Sequence, residues 1–339
     1  MNNAANQSGI KAGDYTDVRL SDVDVEKAFA AAVKIVSEIE KIIIGKHREV
    51  TLLVTALLAG SHVLIEDVPG VGKTTLASAL AGAAGLEFRR AQFTPDLTAS
   101  DITGFNIYNR SREEFEFTQG IVMTNVLLAD EINRASPKTQ SALLEAMEEG
   151  KVTVDGKTYN IPEPFFVIAT QNPSGFVGTY PLPEAQLDRF GIRLSMGYPS
   201  LDEEIGIVES RKSQKMQSEA EAVSSAAVIK FLRALICDVH IDSQICRYLV
   251  TLVSATREHP AVSLGASPRA SLTLKRMCQA YAFMNGRNYV IPEDVATLFG
   301  VSVSHRLILT REAKVRKITP DTVIGEILSR TPVPYKGKR

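Results

Sequence analysis

The sequence is poor in cysteine, in net charge and in long apolar runs, and each shortage excludes a class of protein. The three cysteines (Cys237, Cys246 and Cys278) have neither zinc-ligand nor paired-disulfide spacing, so we expect them to be small core side chains. A net charge of -1 gives no global electrostatic case for binding nucleic acid or a membrane. Because no window has the apolar length of a membrane span and no signal-peptide pattern is present, we expect no membrane span and a cytoplasmic location.

Short apolar runs that alternate with helical patterns predict a parallel sheet covered by helices on both faces. Two other segments, 104–118 and 151–160, alternate as hairpins do, and Asp155-Gly156 in the second is a strong signal for a type I′ turn. We therefore expect both hairpins to project from the sheet. The apolar runs of the sheet itself occupy 62–66, 88–93, 125–130, 165–170 and, more weakly, 191–195.

The domain boundaries follow from where these patterns begin and stop. Strand patterns end near residue 200, and apolar residues at helical spacing dominate from about 225. From 306 to 339, nine basic residues stand against three acidic ones, which indicates either a docking tail or a solvated end. The expected organisation is a flexible leader at 1–22, an α/β core at 23–200, a linker at 201–224, a helical domain at 225–332 and a basic tail at 333–339.

The stretch LIEDVPGVGKTTLASAL, residues 64–80, has the pattern of a strand, a loop and a helix. The common phosphate-loop pattern has a glycine where this chain has Asp67. The glycines that matter most are Gly70 and Gly72, where the backbone must approach phosphate without a Cβ. In a nucleotide site Lys73 reaches the β- and γ-phosphates and the Thr74 hydroxyl binds Mg²⁺. The alternative is a glycine-rich helix entry.

Two later strands end in polar residues that suit the same chemistry. The segment NVLLADEINRAS ends its apolar run in Asp130 and Glu131. Asp130 fits the role of holding Mg²⁺ through water, and Glu131 can polarise a water that attacks the γ-phosphate; a pair that caps the next helix is the alternative. The segment FFVIATQNP places Asn172 after the neighbouring strand, where it would orient the water or the γ-phosphate, although Asn-Pro is also an ordinary turn signal.

Five segments together resemble the MoxR family of AAA+ ATPases, and the resemblance covers about 40–301. They are, in order, EDVPGVGKT, LLADEINRASPKTQSALLEAMEE, VIATQNP, YPLPEAQLDRF and GASPRAS. An aspartate at the position of Asp67 is usual in this family. The resemblance implies an AAA+ P-loop αβα core with a parallel five-stranded sheet, followed by a small α-helical lid. It also implies a homo-oligomeric ring, commonly a hexamer, with ATP and Mg²⁺ between subunits.

The resemblance also implies roles for single residues in the nucleotide site. Lys73 and Thr74 match the Walker A pair, Asp130 and Glu131 match Walker B, and Asn172 matches sensor 1. The Mg²⁺ ligands would be Thr74 and Asp130. Family members contact adenine near Ile44 and Gly45, which are otherwise the end of a helix. The expected ATP contacts are Ile44, Gly45, Pro69, Gly70, Val71, Gly72, Lys73, Thr74 and Thr75.

Three arginines match positions that act on ATP from outside the phosphate loop. Arg189 in LDRF is the expected arginine finger, which acts on a neighbouring subunit's ATP, and Arg193 is its competitor. A cation supplied by a neighbour stabilises the charge that develops on the transferred phosphoryl group. Arg269 in GASPRAS matches sensor 2, and the sequence leaves open whether it acts on its own nucleotide or on a neighbour's.

Three functions remain open at this stage. The leading one, implied by the resemblance, is an ATP-driven remodelling chaperone that acts on a protein client with a von Willebrand factor A-domain partner. Phe105, Tyr108 and Phe115 either face that client or pack the first hairpin. A nucleic-acid motor resembling the MCM helicases is the alternative, although Lys151 and Lys157 are a sparse basic set for tracking phosphates. A small-molecule kinase is the third, but the adjacent Asp-Glu pair and the arginines favour hydrolysis.

Overall fold

The computed structural model describes residues 22–171, 180–210 and 220–334. Among them no helix has both the length and the apolar character needed to cross a membrane. In chain order the elements are α1 (Asp22–Glu40), α2 (His47–Leu58), β1 (His62–Glu66), α3 (Lys73–Ala84), β2 (Phe88–Gln92), α4 (Ala99–Thr103), β3 (Gly104–Asn109), β4 (Glu114–Gln119), β5 (Val126–Asp130), α5 (Pro137–Glu149), β6 (Lys151–Val154), β7 (Lys157–Asn160), β8 (Phe166–Gln171), α6 (Glu184–Leu187), β9 (Phe190–Leu194), α7 (Leu201–Ser210), α8 (Ala226–Cys237), α9 (Ser243–Glu258), β10 (Val262–Leu264), α10 (Pro268–Met284), α11 (Pro292–Val303), β11 (Ile308–Leu309), α12 (Arg311–Val315) and α13 (Pro320–Arg330).

A five-stranded parallel sheet with the order β2-β5-β8-β1-β9 forms the centre of the first part of the chain. The predicted sheet is thereby confirmed, with each strand end within one residue of its apolar run. Because the strands are parallel, they all begin at one edge, the amino edge, marked by His62, and end at the other, the carboxyl edge, marked by Glu66. These two edges separate the functional groups described below.

Both faces of the sheet are buried along β1, β5, β8 and β9, which explains why these strands are continuous apolar runs, whereas the edge strand β2 is partly exposed. Val63 and Ile65 of β1 face the cluster that contains α1, α2 and α3, whereas Leu64 between them faces the cluster built on α5. In β5, Leu128 faces the first of these clusters and Leu127 faces the second. The fold is therefore an αβα sandwich, as the resemblance implies.

Two antiparallel hairpins, β3–β4 and β6–β7, interrupt the alternation of strands and helices at the places where the sequence alternates. Asp155 and Gly156 have φ values of 48° and 78°, as the type I′ turn requires. The Asn106 side-chain amide donates to Asp155 Oδ2 at 2.7 Å, and the rings of Phe117 and Tyr159 stack with centroids 3.8 Å apart. The two hairpins thus support each other.

The interval 201–224, which we expected to be a linker, begins instead with the helix α7. The cause is a reciprocal cap: the Ser200 N–H donates to Glu203 Oε2 at 2.8 Å, and the Glu203 N–H donates to Ser200 Oγ at 3.3 Å. Helices α8 to α13 follow, together with the antiparallel pair β10–β11 that the helical pattern did not predict. Residues 1–21 of the expected leader and 335–339 of the basic tail lie outside the described residues, and Asp22, placed at the end of that leader, is instead the first residue of α1.

The helical part shares one apolar cluster with the αβα core. Leu53 and Leu57 of α2 belong to the same cluster as Leu274 and Met277 of α10, and α10 packs against α1 and α2. Burial of such side chains stabilises by about 1.5–3 kcal/mol each. This shared cluster fixes the helical part against the core in the conformation described.

His62, at the amino edge, is held in its neutral form and makes stability depend on pH. Its Nε2 donates to the Met147 carbonyl at 3.1 Å, and its Nδ1 accepts the Val167 N–H at 3.0 Å. Burial lowers the pKa of His62 from 6.5 to about 4. Because the unfolded chain binds this proton first, the stabilisation is present above pH 6.5 and is lost as pH falls towards 4.

We expect the free energy of unfolding to fall by about 2 kcal/mol more between pH 7 and pH 5 in the wild type than in His62→Gln. Urea unfolding of both proteins at the two pH values measures this difference, and the loss from other groups cancels in the comparison. Equal losses in the two proteins would show that His62 does not titrate as described.

Candidate nucleotide-binding site

The phosphate loop follows β1 at the carboxyl edge and leads directly into α3. Gly70 and Gly72 both have a φ of 88°, a backbone conformation that side chains other than glycine rarely adopt. An ideal Cβ at either position would meet no protein atom within 4 Å, so the loop leaves room beside its backbone. Lys73, the first residue of α3, is buried, and its Nζ donates to the Asp67 carbonyl at 2.9 Å. The loop therefore presents glycine backbone and a helix N-terminus to the same space, which suits phosphate.

Asp67 anchors the base of this loop to the segment that follows β9. Its Oδ2 accepts the N–H of Met196 and, at 3.0 Å, the N–H of Gly197, and the Ser195 hydroxyl lies 3.3 Å away. Its Oδ1 accepts the Val68 N–H at 3.2 Å. The side chain is buried at 6% exposure, so these bonds satisfy a carboxylate that water reaches poorly. The aspartate that departs from the common pattern is thus a structural anchor.

Asp67→Gly restores the common pattern, yet we expect it to lower the free energy of unfolding by about 2–3 kcal/mol, because backbone N–H groups lose a charged acceptor. Asp67→Asn keeps the shape and one oxygen acceptor and should lose less. Urea denaturation of the three proteins gives the comparison. A glycine variant as stable as the wild type would contradict the anchoring role.

The acidic pair lies at the end of β5, beside the carboxyl end of β8. Thr170 of β8 joins the two acids, because its hydroxyl donates to Asp130 Oδ1 at 2.6 Å and accepts the Glu131 N–H at 2.9 Å. Glu131 has a φ of 55°, which is strained for a residue with a side chain. Such a conformation at a strand end turns the carboxylate out of the sheet pattern, and it is typical of functional positions.

Sequence reasoning missed three side chains that contact this pair. Arg90 of β2 donates from Nη2 to Asp130 Oδ2 at 2.7 Å, and the Gln92 amide donates to Glu131 Oε2 at 2.8 Å. Arg134 also lies 2.8 Å from Glu131 Oε2. The polar residues of the run FRRAQF were the available signal for Arg90 and Gln92, although exposed positions on the edge strand β2 also carry polar side chains.

The donor set at this edge suits Mg²⁺. The Thr74 hydroxyl and the Asp130 carboxylate are hard oxygen donors, the type that Mg²⁺ takes together with water and substrate phosphates. Within the described ranges, no group of three or more His, Cys, Asp or Glu side chains could hold a metal alone. An ion shared with phosphates needs no such group, so the residues fit an ATP-bound Mg²⁺.

Ile44 and Gly45 lie against the segment that follows β9, close to the base of the loop. Gly45 has a φ of 77°, which strains any residue with a side chain, and an ideal Cβ there would lie 1.9 Å from Glu203 Oε1, so the Glu203 side chain would have to move. Lys46 Nζ donates to the Tyr198 carbonyl at 3.3 Å, one residue after the Gly197 N–H that Asp67 binds. Ile44 is 37% exposed beside this junction. The predicted sensor, Asn172, lies outside the described residues.

Arg189 lies at the amino edge, away from the phosphate loop of its own chain. It precedes Phe190, which pairs with His62 at the start of β1, whereas the loop follows Glu66. The five residues of β1, at about 3.3 Å each, separate the two edges by roughly 16 Å. That separation exceeds the length of an arginine side chain.

Arg269 lies at the same amino edge, because it shares a partner with Arg189. Glu148 Oε2 lies 2.8 Å from Arg189 Nη1, and Glu148 Oε1 lies 3.1 Å from Arg269 Nη2. Arg193, the competitor, is at the other edge: its Nη1 lies 2.9 Å from Glu66 Oε2, and it lines a cavity of about 500 Å³ between core and helical part. The structure thus separates the arginines into two groups.

The hairpin β3–β4 presents an exposed apolar surface. Phe105, Ile107, Tyr108 and Phe115 are between 41% and 69% exposed, and the rings of Tyr108 and Phe115 meet edge to face with centroids 5.3 Å apart. The two alternatives for these aromatics are therefore not exclusive, since the rings contact each other and still face solvent.

A phosphate loop after a central parallel strand, an acidic pair on a neighbouring strand and a helical domain beside them define a P-loop ATPase of the AAA+ class. The family model described as "ATPase family associated with various cellular activities (AAA)" matches residues 62–192, and the "AAA lid domain" model matches 254–327. The helical part is thus the lid that the resemblance implies.

Relatives of nearly full length narrow the class to one family. The chain is 50% identical to the uncharacterized protein YeaC of Bacillus subtilis, over 89% of this chain and 95% of that one. It is 41% identical to "Chaperone MoxR1" of Mycobacterium tuberculosis, over 88% of this chain and 81% of that one. The chain belongs to the MoxR family of AAA+ ATPases.

Two solved structures resemble this one to different degrees. A candidate ATPase from Cytophaga hutchinsonii has a TM-score of 0.86 at 36% identity and covers 92% of this chain and 97% of its own. A full-length MCM homologue from Methanopyrus kandleri has a TM-score of 0.56 at 18% identity, over 86% of this chain and 64% of its own. The second likeness reflects the fold alone.

Proposed function

We propose that this protein hydrolyses ATP at the carboxyl edge of its sheet. The backbone N–H groups from Gly70 to Thr75 would surround the β- and γ-phosphates, with Pro69 before them and Lys73 beside them. Ile44 and Gly45 would lie against the adenine. Thr74 and Asp130 would hold Mg²⁺, which would neutralise negative charge on the phosphates.

Glu131 is the base in this proposal. Its carboxylate stands at the strand end next to Asp130, and it accepts hydrogen bonds from Gln92 and Arg134, which hold it in one orientation. A carboxylate held in this way can accept the proton of the attacking water as the γ-phosphate bond breaks. Asn172 would orient the same water or the γ-phosphate.

The observation that carries the rest of the proposal is the placement of Arg189 and Arg269 at the opposite edge from the phosphate loop. Neither guanidinium reaches its own subunit's phosphates, so both would act on the ATP of a neighbour. An interface that joins the amino edge of one copy to the carboxyl edge of the next is heterologous, and such interfaces form a ring when the rotation between copies closes. We therefore propose a homo-oligomeric ring, a hexamer as is common in this family, and a trans role for both arginines.

The work done by this ring is proposed to be remodelling of a protein client. A relative that matches most of the chain is named a chaperone, and the exposed aromatics of β3–β4 offer an apolar surface for contact with protein. A partner with a von Willebrand factor A domain is part of the same proposal and rests on the family resemblance. The cytoplasmic location remains a prediction.

The two alternative functions receive less support. The MCM likeness lies at 18% identity, whereas the relatives of nearly full length include a chaperone, so a nucleic-acid motor is not favoured. Nucleic acid therefore stays outside the expected partners. A kinase would need an acceptor site, whereas an acidic pair with trans arginines supports attack by water.

Phosphate release from ATP, measured across a wide range of protein concentrations with and without Mg²⁺, tests the proposal. We expect the rate per chain to rise with concentration as subunits assemble, and to depend on Mg²⁺. A rate per chain that stays flat while the chain passes from monomer to oligomer over this range would mean that each subunit is catalytically complete, and the shared site would then be rejected.

A further inference from the structure

Glu148 joins the two arginines, although no motif in the sequence singled it out. It lies in the last turn of α5 and is the only described carboxylate within 4 Å of both guanidinium groups. Each of its two oxygens contacts a different arginine: Oε2 contacts Arg189 of the core, and Oε1 contacts Arg269 of the lid. One carboxylate thus holds two cations that would otherwise repel each other.

The contacts of Arg189 leave most of its donors available. Nη1 donates to the Leu144 carbonyl and lies 2.8 Å from Glu148, so both contacts come from one end of the guanidinium group. An arginine has five N–H donors, of which three belong to Nε and Nη2. Within the described part of the chain, neither Nε nor Nη2 of Arg189 donates a hydrogen bond. The planar fork is therefore oriented by α5 while its outer edge can meet a phosphate.

A second carboxylate, that of Asp188 in the loop before β9, also attaches the lid to the core beside Arg189. Asp188 Oδ2 accepts the Ser267 hydroxyl at 2.7 Å, and Asp188 Oδ1 lies 2.8 Å from Nε of the buried Arg306. Ser267 precedes α10, on which Arg269 lies, so the start of α10 is attached to the residue next to Arg189. This attachment limits how far the two arginines can move apart.

We propose that Glu148 is a positioning residue that presents Arg189 and Arg269 as one pair to a neighbour's nucleotide. The proposal rests on the trans role of the arginines proposed above, and it adds the group that holds them together. Glu148 takes no part in the chemistry itself. Without its charge the two guanidinium groups would lose their common partner and spread over many orientations, so fewer encounters with the γ-phosphate would be productive.

The test compares Glu148→Gln with Glu149→Gln, its neighbour on α5. Glu149 is exposed and lies 3.5 Å from Lys151, away from both arginines, so its variant controls for a lost surface charge. We expect Glu148→Gln to lower kcat for ATP hydrolysis by roughly 10- to 100-fold. We expect KM for ATP to stay within about twofold, because the variant's own phosphate loop is intact. Glu149→Gln should match the wild type.

A mixing experiment separates positioning from a general structural defect. Subunits with Glu131→Gln lack the base but have intact Glu148, so they can donate well-placed arginines to the sites of Glu148→Gln subunits. Mixing the two weak variants should therefore raise phosphate release above either alone. The double variant Glu131→Gln/Glu148→Gln, used as the donor, should not rescue. A folding defect in Glu148→Gln predicts no rescue by either donor.

The outcomes distinguish this inference from the proposed function. If Arg189→Ala abolishes hydrolysis while Glu148→Gln behaves like Glu149→Gln, the shared site stands and the positioning role is rejected. If Glu148→Gln is slow but is not rescued by Glu131→Gln subunits, the role is also rejected. If Arg189→Ala itself is harmless, the proposed trans mechanism is what has failed.

Discussion

Arg189→Ala is expected to lower the rate of ATP hydrolysis by roughly 10³- to 10⁵-fold, the range over which arginine fingers act. In the proposed mechanism Arg189 supplies positive charge where negative charge develops during phosphoryl transfer, and a neutral methyl group would supply none. ATP affinity should change little, since Arg189 lies at the amino edge, about 16 Å from the phosphate loop of its own chain.

Arg193→Ala is the matched control for this prediction. Arg193 is only four positions further along but pairs with Glu66 at the carboxyl edge of its own chain. We expect its removal to affect hydrolysis far less than the removal of Arg189. To compare the two variants, we would measure phosphate release and the equilibrium binding of a fluorescent ATP analogue for each. The reverse order of effects would make Arg193 the finger.

Glu131→Gln is expected to lower hydrolysis by roughly 10²- to 10⁴-fold while ATP still binds, the range for loss of a general base. Glutamine keeps the shape and can still accept from Gln92, but it cannot take a proton from the attacking water. Lys73 and the glycine backbone, which hold the phosphates in the proposed mechanism, are untouched. The variant should therefore accumulate bound ATP.

Single-turnover measurements on Glu131→Gln separate binding from chemistry. Glu145→Gln on α5, an exposed carboxylate far along the helix from the acidic pair, is the control for a lost negative charge. Hydrolysis by Glu131→Gln at the wild-type rate would remove Glu131 from the mechanism. Loss of ATP binding in the same variant would assign it a role in holding the nucleotide instead.

The sheet and its hairpins could be predicted from the sequence because they rest on local signals. Buried parallel strands are short apolar runs, and Asp155-Gly156 adopts positive φ at both positions for reasons contained in the two residues themselves. The start of α7 was missed even though Ser200 and Glu203 have the spacing of a reciprocal cap. The pair β10–β11 was missed because a strand of two or three residues has no period to detect.

The candidate site could be predicted only where its residues are contiguous. Gly70, Gly72 and Lys73 form a local pattern, and so do Asp130 and Glu131. The partners of these residues come from elsewhere in the chain: Asp67 binds the N–H of Gly197, 130 residues later. Glu148 meets Arg269 across 121 positions, which is a consequence of how the lid packs on the core. No spacing rule in a single sequence contains such contacts.

The most direct test of the account is to mix Glu131→Gln subunits with Arg189→Ala subunits and measure phosphate release from ATP. Each variant alone should be nearly inactive. In an equal mixture with independent sites, about a quarter of wild-type activity should return, because a quarter of the heterologous interfaces pair an intact base with an intact arginine. If the mixture stays as inactive as its components while both variants bind ATP and assemble, Arg189 does not act on a neighbour's nucleotide. The shared-site mechanism would then be wrong.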